Sequence, residues 1–136
     1  MAVSFVKFQP FVENLAEKVF NLGSDTLKVA LTNTAPTNTF STLSQVTEIS
    51  YTNCSARTVS VASSAQTAGT YKLTLTDLVL TASGTVGPFR YVVLYDDTAT
   101  NDELIGSYDY GSSVTMSTGE TFTIDFDGTA GAVTIA

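Results

Sequence analysis

Residues 87–111 constrain the fold of this chain most, because two β-rich runs there flank a polar, acidic connection. The runs at 89–95 and 103–110 are rich in the β-branched and aromatic residues that strands favour. The residues between them are typical of a solvated turn. The pattern predicts an antiparallel hairpin. Because 89–95 is apolar on both faces, we expect it to be a central strand that another layer covers.

The two runs also suggest a register for this hairpin. If Tyr95 faces Leu104, aromatic residues oppose aromatic residues and a positive charge opposes a negative one, which favours pairing across strands. The further pairs in this assumed register are Tyr91 with Tyr108, Phe89 with Tyr110, and Arg90 with Asp109.

One helix is expected near the N-terminus, over residues 8–22. Apolar residues recur there at spacings of three and four, which is typical of a helix with one buried face. Pro10 suits a first turn, and Gly23 is placed as a stop. The apolar positions are Phe8, Phe11, Val12, Leu15, Val19 and Leu22. We expect this stripe to pack on the protein's own sheet.

The rest of the chain alternates between short strand patterns and turn residues. Residues 27–31 alternate with period two, which indicates a strand with one wet face. Further strands are expected at 46–51, 57–63, 71–81, 121–127 and 132–135. Within 71–80 the apolar residues expected to face the core change from odd-numbered to even-numbered positions. A strand can do this only with one extra residue, which predicts a bulge near Thr76 and Asp77. Residues 32–44 are rich in Asn, Thr and Pro and are expected to form a long loop that is either functional or flexible.

These elements predict a mainly β fold. The expectation is an antiparallel β-sandwich or jelly-roll-like fold with one N-terminal α-helix and strands from about 26 to 135. A chain of 136 residues suits a single domain, 1–136. The first residues lack the continuous apolar run of a signal peptide and no stretch is long enough to span a bilayer, so we expect folding in a cytosol without a membrane partner.

Composition bears on the partners. The net charge is −7 with six Lys and Arg residues, which disfavours nucleic-acid binding because that depends on neutralising phosphates. Only 14% of residues are charged against 43% hydrophobic, whereas about a quarter are charged in an ordinary globular domain. Such a chain is expected to have apolar surface left for a protein interface.

The densest group of oxygen ligands lies in the hairpin connection. Its members are Asp96, Asp97, Asp102 and Glu103, beside Asn101, and carboxylates are the ligands that calcium prefers. The spacing lacks the alternation and central glycine of an EF-hand loop. We interpret the group as a solvated acidic loop, with a metal site as the weaker alternative.

Little in the chain favours catalysis, and we expect neither an enzyme nor a cofactor. No histidine is present, and no Gly-x-Ser-x-Gly elbow activates a serine. Asp125 and Asp127 would lie about 7 Å apart on one strand face, a spacing that paired glycosidase carboxylates use and that wet strands also show. Cys54 is interpreted as a packed, inert thiol.

Aromatic residues raise the alternative of sugar binding. Tyr108 and Tyr110 share a strand face and are the pair on which a stacking platform would depend. Core packing is the preferred interpretation for most aromatic residues here.

Taken together, several segments resemble the small structural proteins of tailed-bacteriophage virions, in particular capsid decoration or cement subunits. The segments are Val19-Phe-Asn-Leu-Gly-Ser-Asp, Thr26-Leu-Lys-Val-Ala-Leu-Thr-Asn, Ala35-Pro-Thr, Phe89-Arg-Tyr-Val-Val-Leu-Tyr-Asp, Leu104-Ile-Gly and Gly119-Glu-Thr-Phe-Thr. They span most of the chain and contain scaffold residues rather than a catalytic motif.

This resemblance implies a protein that binds the outer surface of a phage capsid and stabilises the shell. Its partner would be the major capsid protein, its own state a homo-oligomer (trimer or dimer), and its location the virion after synthesis in the host cytoplasm. The expected contacts are the N-terminal residues and the 32–44 loop, with Ala2, Val3, Phe5, Phe8, Asn33, Pro36 and Phe40 as interface candidates. The alternatives are a tail, baseplate or fibre-associated subunit, then a carbohydrate-binding module, and last a hydrolase that uses Asp125 and Asp127.

Overall fold

The structure, a computed structural model, describes residues 4–136. These residues form one α-helix and ten strands, joined by turns and one long loop that contains a 3₁₀ turn at Leu43–Gln45. In chain order the elements are β1 (Phe5–Lys7), α1 (Gln9–Ala16), β2 (Leu27–Thr32), β3 (Thr58–Val59), β4 (Val61–Thr67), β5 (Thr70–Leu75), β6 (Leu78–Thr81), β7 (Val86–Asp96), β8 (Leu104–Met116), β9 (Thr121–Ile124) and β10 (Val133–Ile135).

The strands form three antiparallel sheets. The largest has the order β1-β8-β7-β2-β3, the second has the order β10-β5-β4, and β6 pairs with β9 in the third. The fold is mainly β with a single helix near the N-terminus, and it is consistent with a β-sandwich, so the predicted fold class is confirmed.

The main core lies on one face of the five-stranded sheet. It joins alternate residues of β2 and β7 to residues of the two smaller sheets, to α1 and to Phe126. Its fully buried side chains include Leu27, Leu31, Leu73, Leu80, Phe89 and Phe126. Burying an aliphatic or aromatic side chain of this size contributes about 1.5–3 kcal/mol, so this core carries most of the stability.

A second, smaller core covers the other face of the same sheet. Alternation places Val93 and Tyr95 of β7 on this face. The loop after β2 lies over them, with Phe40 and Leu43 packed against Val93, Tyr95 and their neighbours. Strand β7 is therefore central and covered on both faces, as its sequence predicts.

The helix is shorter than predicted and ends at Ala16 instead of residue 22. Lys18 adopts a left-handed conformation (φ 69°). The amide of Lys18 donates to the carbonyl of Leu15, and that of Val19 to the carbonyl of Asn14, which is the Schellman arrangement that closes a helix. Phe20 and Leu22 are buried in the main core, but a loop carries them there.

Three predicted strands differ from the structure. The predicted strand 57–63 is divided between β3 of the five-stranded sheet and β4 of the three-stranded sheet. Residues 46–51 form no strand: a single backbone hydrogen bond, from the amide of Ile49 to the carbonyl of Leu31, joins them to β2, and the side chains of Tyr51 and Arg57 make further bonds to that edge. Residues 71–81 form two strands in different sheets, so the parity change at Thr76 and Asp77 marks a passage between sheets and not a bulge. There the Asp77 carboxylate accepts a hydrogen bond from the amide of Phe126 (3.0 Å).

The predicted hairpin forms from β7 and β8, and Tyr95 faces Leu104 as expected. Beyond that pair the register shifts by one, because Ile105 is an extra residue between the partners of Leu94 and Tyr95. Tyr91 therefore faces Asp109 instead of Tyr108. A second irregularity, between Phe89 and Tyr91, shifts the register further, so Phe89 faces Val114 instead of Tyr110. The Arg90 guanidinium still binds the Asp109 carboxylate with two bonds, of 2.8 and 3.1 Å.

Candidate functional site

An apolar groove lies between β1, α1 and β10. We define it by Phe5, Val6, Val12, Leu15, Val133 and Ile135, and its volume is about 920 Å³. The described residues include five exposed large hydrophobic side chains, and three of them line this groove: Val6 (47% exposed), Val12 (51%) and Ile135 (42%). Single exposed apolar residues are ordinary, but a contiguous group of them is typical of an interaction site.

The topology explains why this groove stays open. Strand β1 is the outer strand of the five-stranded sheet, and β10 is the outer strand of the three-stranded sheet. Each therefore has one edge without a neighbouring strand, and unpaired strand edges are natural places for another chain to bind. Lys7 is the charged side chain among the described residues that line the groove, so the walls are mostly apolar.

The N-terminal interface candidates lie in different environments. Phe5 is half-buried, packs on the Tyr108 ring at 5.0 Å between centroids, and lines the groove. Phe8 is 1% exposed and belongs to the second core, so it is a core residue and not a surface contact. The reason is that Phe8 leads into α1 and its amide donates to the carbonyl of Ile105. Ala2 and Val3 lie outside the described residues.

The loop candidates belong to a layer of the fold. Phe40 is half-buried against the second core, and the carbonyl of Asn38 accepts a hydrogen bond from the amide of Gln9. Asn33 is exposed, and its side-chain oxygen accepts a bond from the Ser113 hydroxyl (2.7 Å). Pro36 is half-buried at a shallow surface beside Val6. The loop is fastened to the sheet, which leaves Asn33 and Pro36 as its accessible candidates.

The predicted acidic loop uses its carboxylates to build its own turn. Asp96 is completely buried, and its Oδ1 accepts hydrogen bonds from the amides of Thr98 (2.9 Å) and Ala99 (3.1 Å). Glu103 is 8% exposed and accepts bonds from the amide and the side chain of Asn101. Asp97 lies 3.4 Å from the ammonium group of Lys28.

These carboxylates do not converge on a common point. Among residues 4–136, no group of three or more His, Cys, Asp or Glu side chains is arranged to hold a metal ion. Asp102, with φ 51°, supplies a left-handed turn residue next to Glu103. The expectation of a solvated acidic loop is wrong for Asp96 and Glu103, because both carboxylates are buried and accept hydrogen bonds within the turn.

A second depression, which we call the acidic cleft, borders this turn. Its volume is about 1000 Å³, and its polar lining includes Lys18, Asn21, Asp25, Asn101 and Glu103. The Asp25 carboxyl group lies beside the buried carboxyl group of Asp96. Burial first, and then the neighbouring Asp25 carboxyl group, raises the pKa of Asp96 to about 7.

Sequence reasoning missed Asp25 and its relation to Asp96. The two residues meet because Leu27 of β2 lies opposite Asp96 of β7, which brings the turn before β2 beside the acidic loop. The signal in the sequence would have been the pairing of those two strands, which local patterns do not specify.

The suggested hydrolase pair caps a turn. Asp125 Oδ1 accepts a hydrogen bond from the amide of Asp127, and Asp127 Oδ1 accepts bonds from the amides of Thr129 and Ala130. Both carboxylates are thus engaged by backbone groups after β9, as Asp residues are in Asx-turns.

The suggested sugar-binding pair does not form a platform. Tyr108 is 6% exposed and packs against Phe5 and Phe126, whereas Tyr110 is exposed and packs edge-on against Phe122. The space beside them holds about 30 Å³, which is the volume of one water molecule and not of a sugar ring.

Cys54 is half-buried, and its backbone bridges to that of Ala82. Burial raises the pKa of its thiol, and the nearby Arg57 lowers it by a smaller amount. A thiol with a raised pKa is a poor nucleophile at neutral pH, which agrees with a structural role.

Within residues 4–136, no helix has both the length and the apolar character needed to cross a membrane. Comparison of the chain with family models, with curated proteins and with solved structures yielded no match.

Proposed function

We propose that this chain is a structural virion protein that binds the outer surface of a bacteriophage capsid and stabilises the shell. The observation that carries the proposal is the apolar groove, where two free strand edges meet three of the exposed hydrophobic side chains. A surface of this kind suits protein binding better than catalysis, since it holds no cluster of chemically reactive groups.

The charge of the chain supports the same proposal. With a net charge of −7 the protein is repelled by packaged DNA, which suits the outside of a shell. A subunit that binds only the assembled lattice stabilises it by mass action, without any reaction. The resemblance of several segments to phage decoration proteins implies the major capsid protein as the partner.

The first experiment determines where the protein sits and in how many copies. Particles purified from the source would be analysed by quantitative gel and by electron cryomicroscopy. Density at symmetry-related sites over the capsid, in hundreds of copies, is the expected result. A handful of copies on the tail would transfer the protein to a tail, baseplate or fibre role, and its absence from particles would overturn the proposal.

The second experiment tests the groove itself. Particles that lack the protein would be titrated with wild-type protein and with a triple variant in which Val6, Val12 and Ile135 are each replaced by Thr. We expect a loss of affinity of at least about tenfold, since each replaced side chain removes apolar contact. The matched control is Val79→Thr, because Val79 is equally exposed (51%) but lies on β6, outside the groove.

The binding of the triple variant tests the proposed contact surface, and the binding of the wild type tests the proposed function. If the triple variant folds and binds particles like the wild type, the groove is not the contact surface. If wild-type protein itself does not bind particles, the decoration role fails.

A further inference from the structure

Two chain segments contribute to the lining of the acidic cleft, the first through Asp25 and the second through Thr98. The turn before β2 contains Asp25 and Thr26, and the loop after β7 contains Asp97 and Thr98. The amide of Asp97 donates to the carbonyl of Thr26 (2.8 Å), and the amide of Thr26 donates to the Thr98 hydroxyl (2.9 Å). These two bonds hold the segments together.

Behind them lies a carboxyl oxygen without an ordinary donor. Asp96 is completely buried, and its Oδ2 has no N–H or O–H donor among the described residues. A buried carboxylate oxygen in that position is costly. The neighbour of Asp96 is the carboxyl group of Asp25, which already accepts a hydrogen bond from the amide of Asn21 (2.8 Å) through its Oδ2.

The other charged groups around the pair do not neutralise Asp96. Lys28 of β2 is engaged with Asp97 at 3.4 Å. On the β8 side, Asp102 and Glu103 are acidic, and Glu103 is held by Asn101. Lys18, after α1, is exposed at the rim of the cleft. A proton is therefore the species that satisfies two facing carboxyl groups here.

We propose that Asp96 carries a proton that it donates to the Asp25 carboxylate, and that this hydrogen bond latches the turn before β2 to the loop after β7 beside the acidic cleft. Protonated Asp96 donates its O–H to the Asp25 carboxylate, so the buried oxygen gains a partner. When the proton leaves, two negative charges face each other at a buried site and push the segments apart. The latch does not depend on the proposed capsid role.

The direction of the pH response follows from the same arrangement. Burial and the neighbouring Asp25 carboxyl group raise the pKa of Asp96 to about 7, so the latch is closed in mild acid and opens as the pH rises through neutrality. The bonds between Thr26, Asp97 and Thr98 are the contacts that report opening, because they join the two segments directly.

The test uses the full chain and two NMR measurements. Carboxyl ¹³C shifts of the aspartates would be followed over pH in the wild type and in the Asp25→Asn, Asp96→Asn and Asp97→Asn variants. Hydrogen-exchange protection factors of the Thr26 and Asp97 amides would be compared below and above neutral pH. We expect one carboxyl group to titrate near neutrality in the wild type, and the two protection factors to fall at least about tenfold above it.

The variants distinguish an effect of the Asp96 proton from a pH response of the whole protein. In Asp25→Asn the amide donates to Asp96 in place of the proton, so the pKa of Asp96 falls below its wild-type value and the protection stays constant across neutrality. In Asp96→Asn the neutral titration disappears and the protection again stays constant. Asp97→Asn, next in the chain, keeps the wild-type response.

Two results would overturn the proposal: Asp96 titrating in the ordinary range of an exposed aspartate, or unchanged protection of Thr26 and Asp97 across neutrality. Either can be read from the wild type alone, so the test stands even where a variant does not fold.

Discussion

At the residue scale, two side chains complete the hydrogen bonding of one edge of β2, where the backbone of Ile49 and Arg57 supplies only part of the partners. The Tyr51 hydroxyl accepts a hydrogen bond from the amide of Leu31 (2.9 Å), and the Arg57 guanidinium donates to the carbonyl of Val29 (2.6 Å). The guanidinium also lies 3.7 Å from the centre of the Tyr51 ring. Burial raises the pKa of Tyr51 well above its usual value, so the hydroxyl stays neutral and in place. Side chains can therefore satisfy a buried strand edge without forming a ladder.

The Tyr51→Phe variant tests how much the Tyr51 hydroxyl stabilises this edge of β2. It removes the hydroxyl and leaves the amide of Leu31, a fully buried residue, without that partner. We expect the free energy of unfolding to fall by about 1–3 kcal/mol, measured by urea denaturation. Tyr110→Phe is the control because the Tyr110 ring is exposed (42%), and it should have little effect. Equal effects from both variants would show that the Tyr51 hydroxyl contributes nothing specific.

Asp96 gives a pH dependence of stability whose sign is set by its raised pKa. The unfolded pKa of an aspartate is about 4, so above it the unfolded chain loses a proton that the folded protein keeps up to about pH 7. The favourable contribution is fully present below about pH 4 and is lost as the pH rises to about 7. We expect this one group to lower the stability by about 1–4 kcal/mol across that window.

Thermal melts of the wild type and Asp96→Asn across that window check this expectation. The variant keeps the side-chain oxygen that caps Thr98 and Ala99, and it carries no titrating proton. Its melting temperature should exceed that of the wild type above neutral pH. A wild-type curve that rises between about pH 4 and 7 in parallel with that of the variant would contradict the assignment.

At the element scale, the end of α1 is set by one residue in an unfavourable conformation. Lys18 occupies the left-handed position of the closing motif, where glycine is the usual residue. Lys18→Gly should raise the free energy of unfolding by up to about 1 kcal/mol, because it relieves backbone strain and keeps the two closing hydrogen bonds. Differential scanning calorimetry measures the change. Glu17→Gly is the matched control: with φ −94° it has no strain to relieve and should destabilise the protein.

The same helix end shows how far local patterns predict elements. The hairpin of β7 and β8 was predictable because both strands have strong periodicity and a clear turn between them. The helix was predicted too long because Phe20 and Leu22 continue the apolar spacing although they reach the core through a loop. The spacing of apolar residues predicts which residues are buried, but it does not predict whether a helix or a loop brings them to the core.

The candidate sites are harder to predict from the sequence than the strands and the helix. Val6, Val12 and Ile135 lie on three elements from both ends of the described chain, and they become one surface only because β1 and β10 are outer strands of different sheets. The pairing of Asp25 with Asp96 likewise depends on the register of β2 against β7. Sites of this kind follow from topology, which local propensity and periodicity do not specify. The acidic loop was found from sequence because its residues are neighbours in the chain.

At the scale of the whole molecule, the main core connects the beginning and the end of the described chain. It includes Phe11 of α1 and Val133 of β10 together with residues of all three sheets. The second core shares β2, β7 and β8 with it, because alternate residues of the same strands face the two cores. Because the same strands form both cores, loss of either core removes packing from the strands that form the other. The two cores should therefore unfold together.

Single-step unfolding is the expected consequence and also tests the prediction that residues 1–136 form one domain. The chain has no tryptophan, so tyrosine fluorescence is the natural probe of packing. Tyr95 lies in the second core and Tyr108 in the main core. Urea transitions followed by tyrosine fluorescence and by far-ultraviolet circular dichroism should coincide, with one midpoint and one slope. If Tyr95→Phe removes an early fluorescence phase that circular dichroism does not report, the loop that covers the second core unfolds by itself. In that case the outer layer would be a separate cooperative unit, and the five-stranded sheet would keep its fold with one face uncovered.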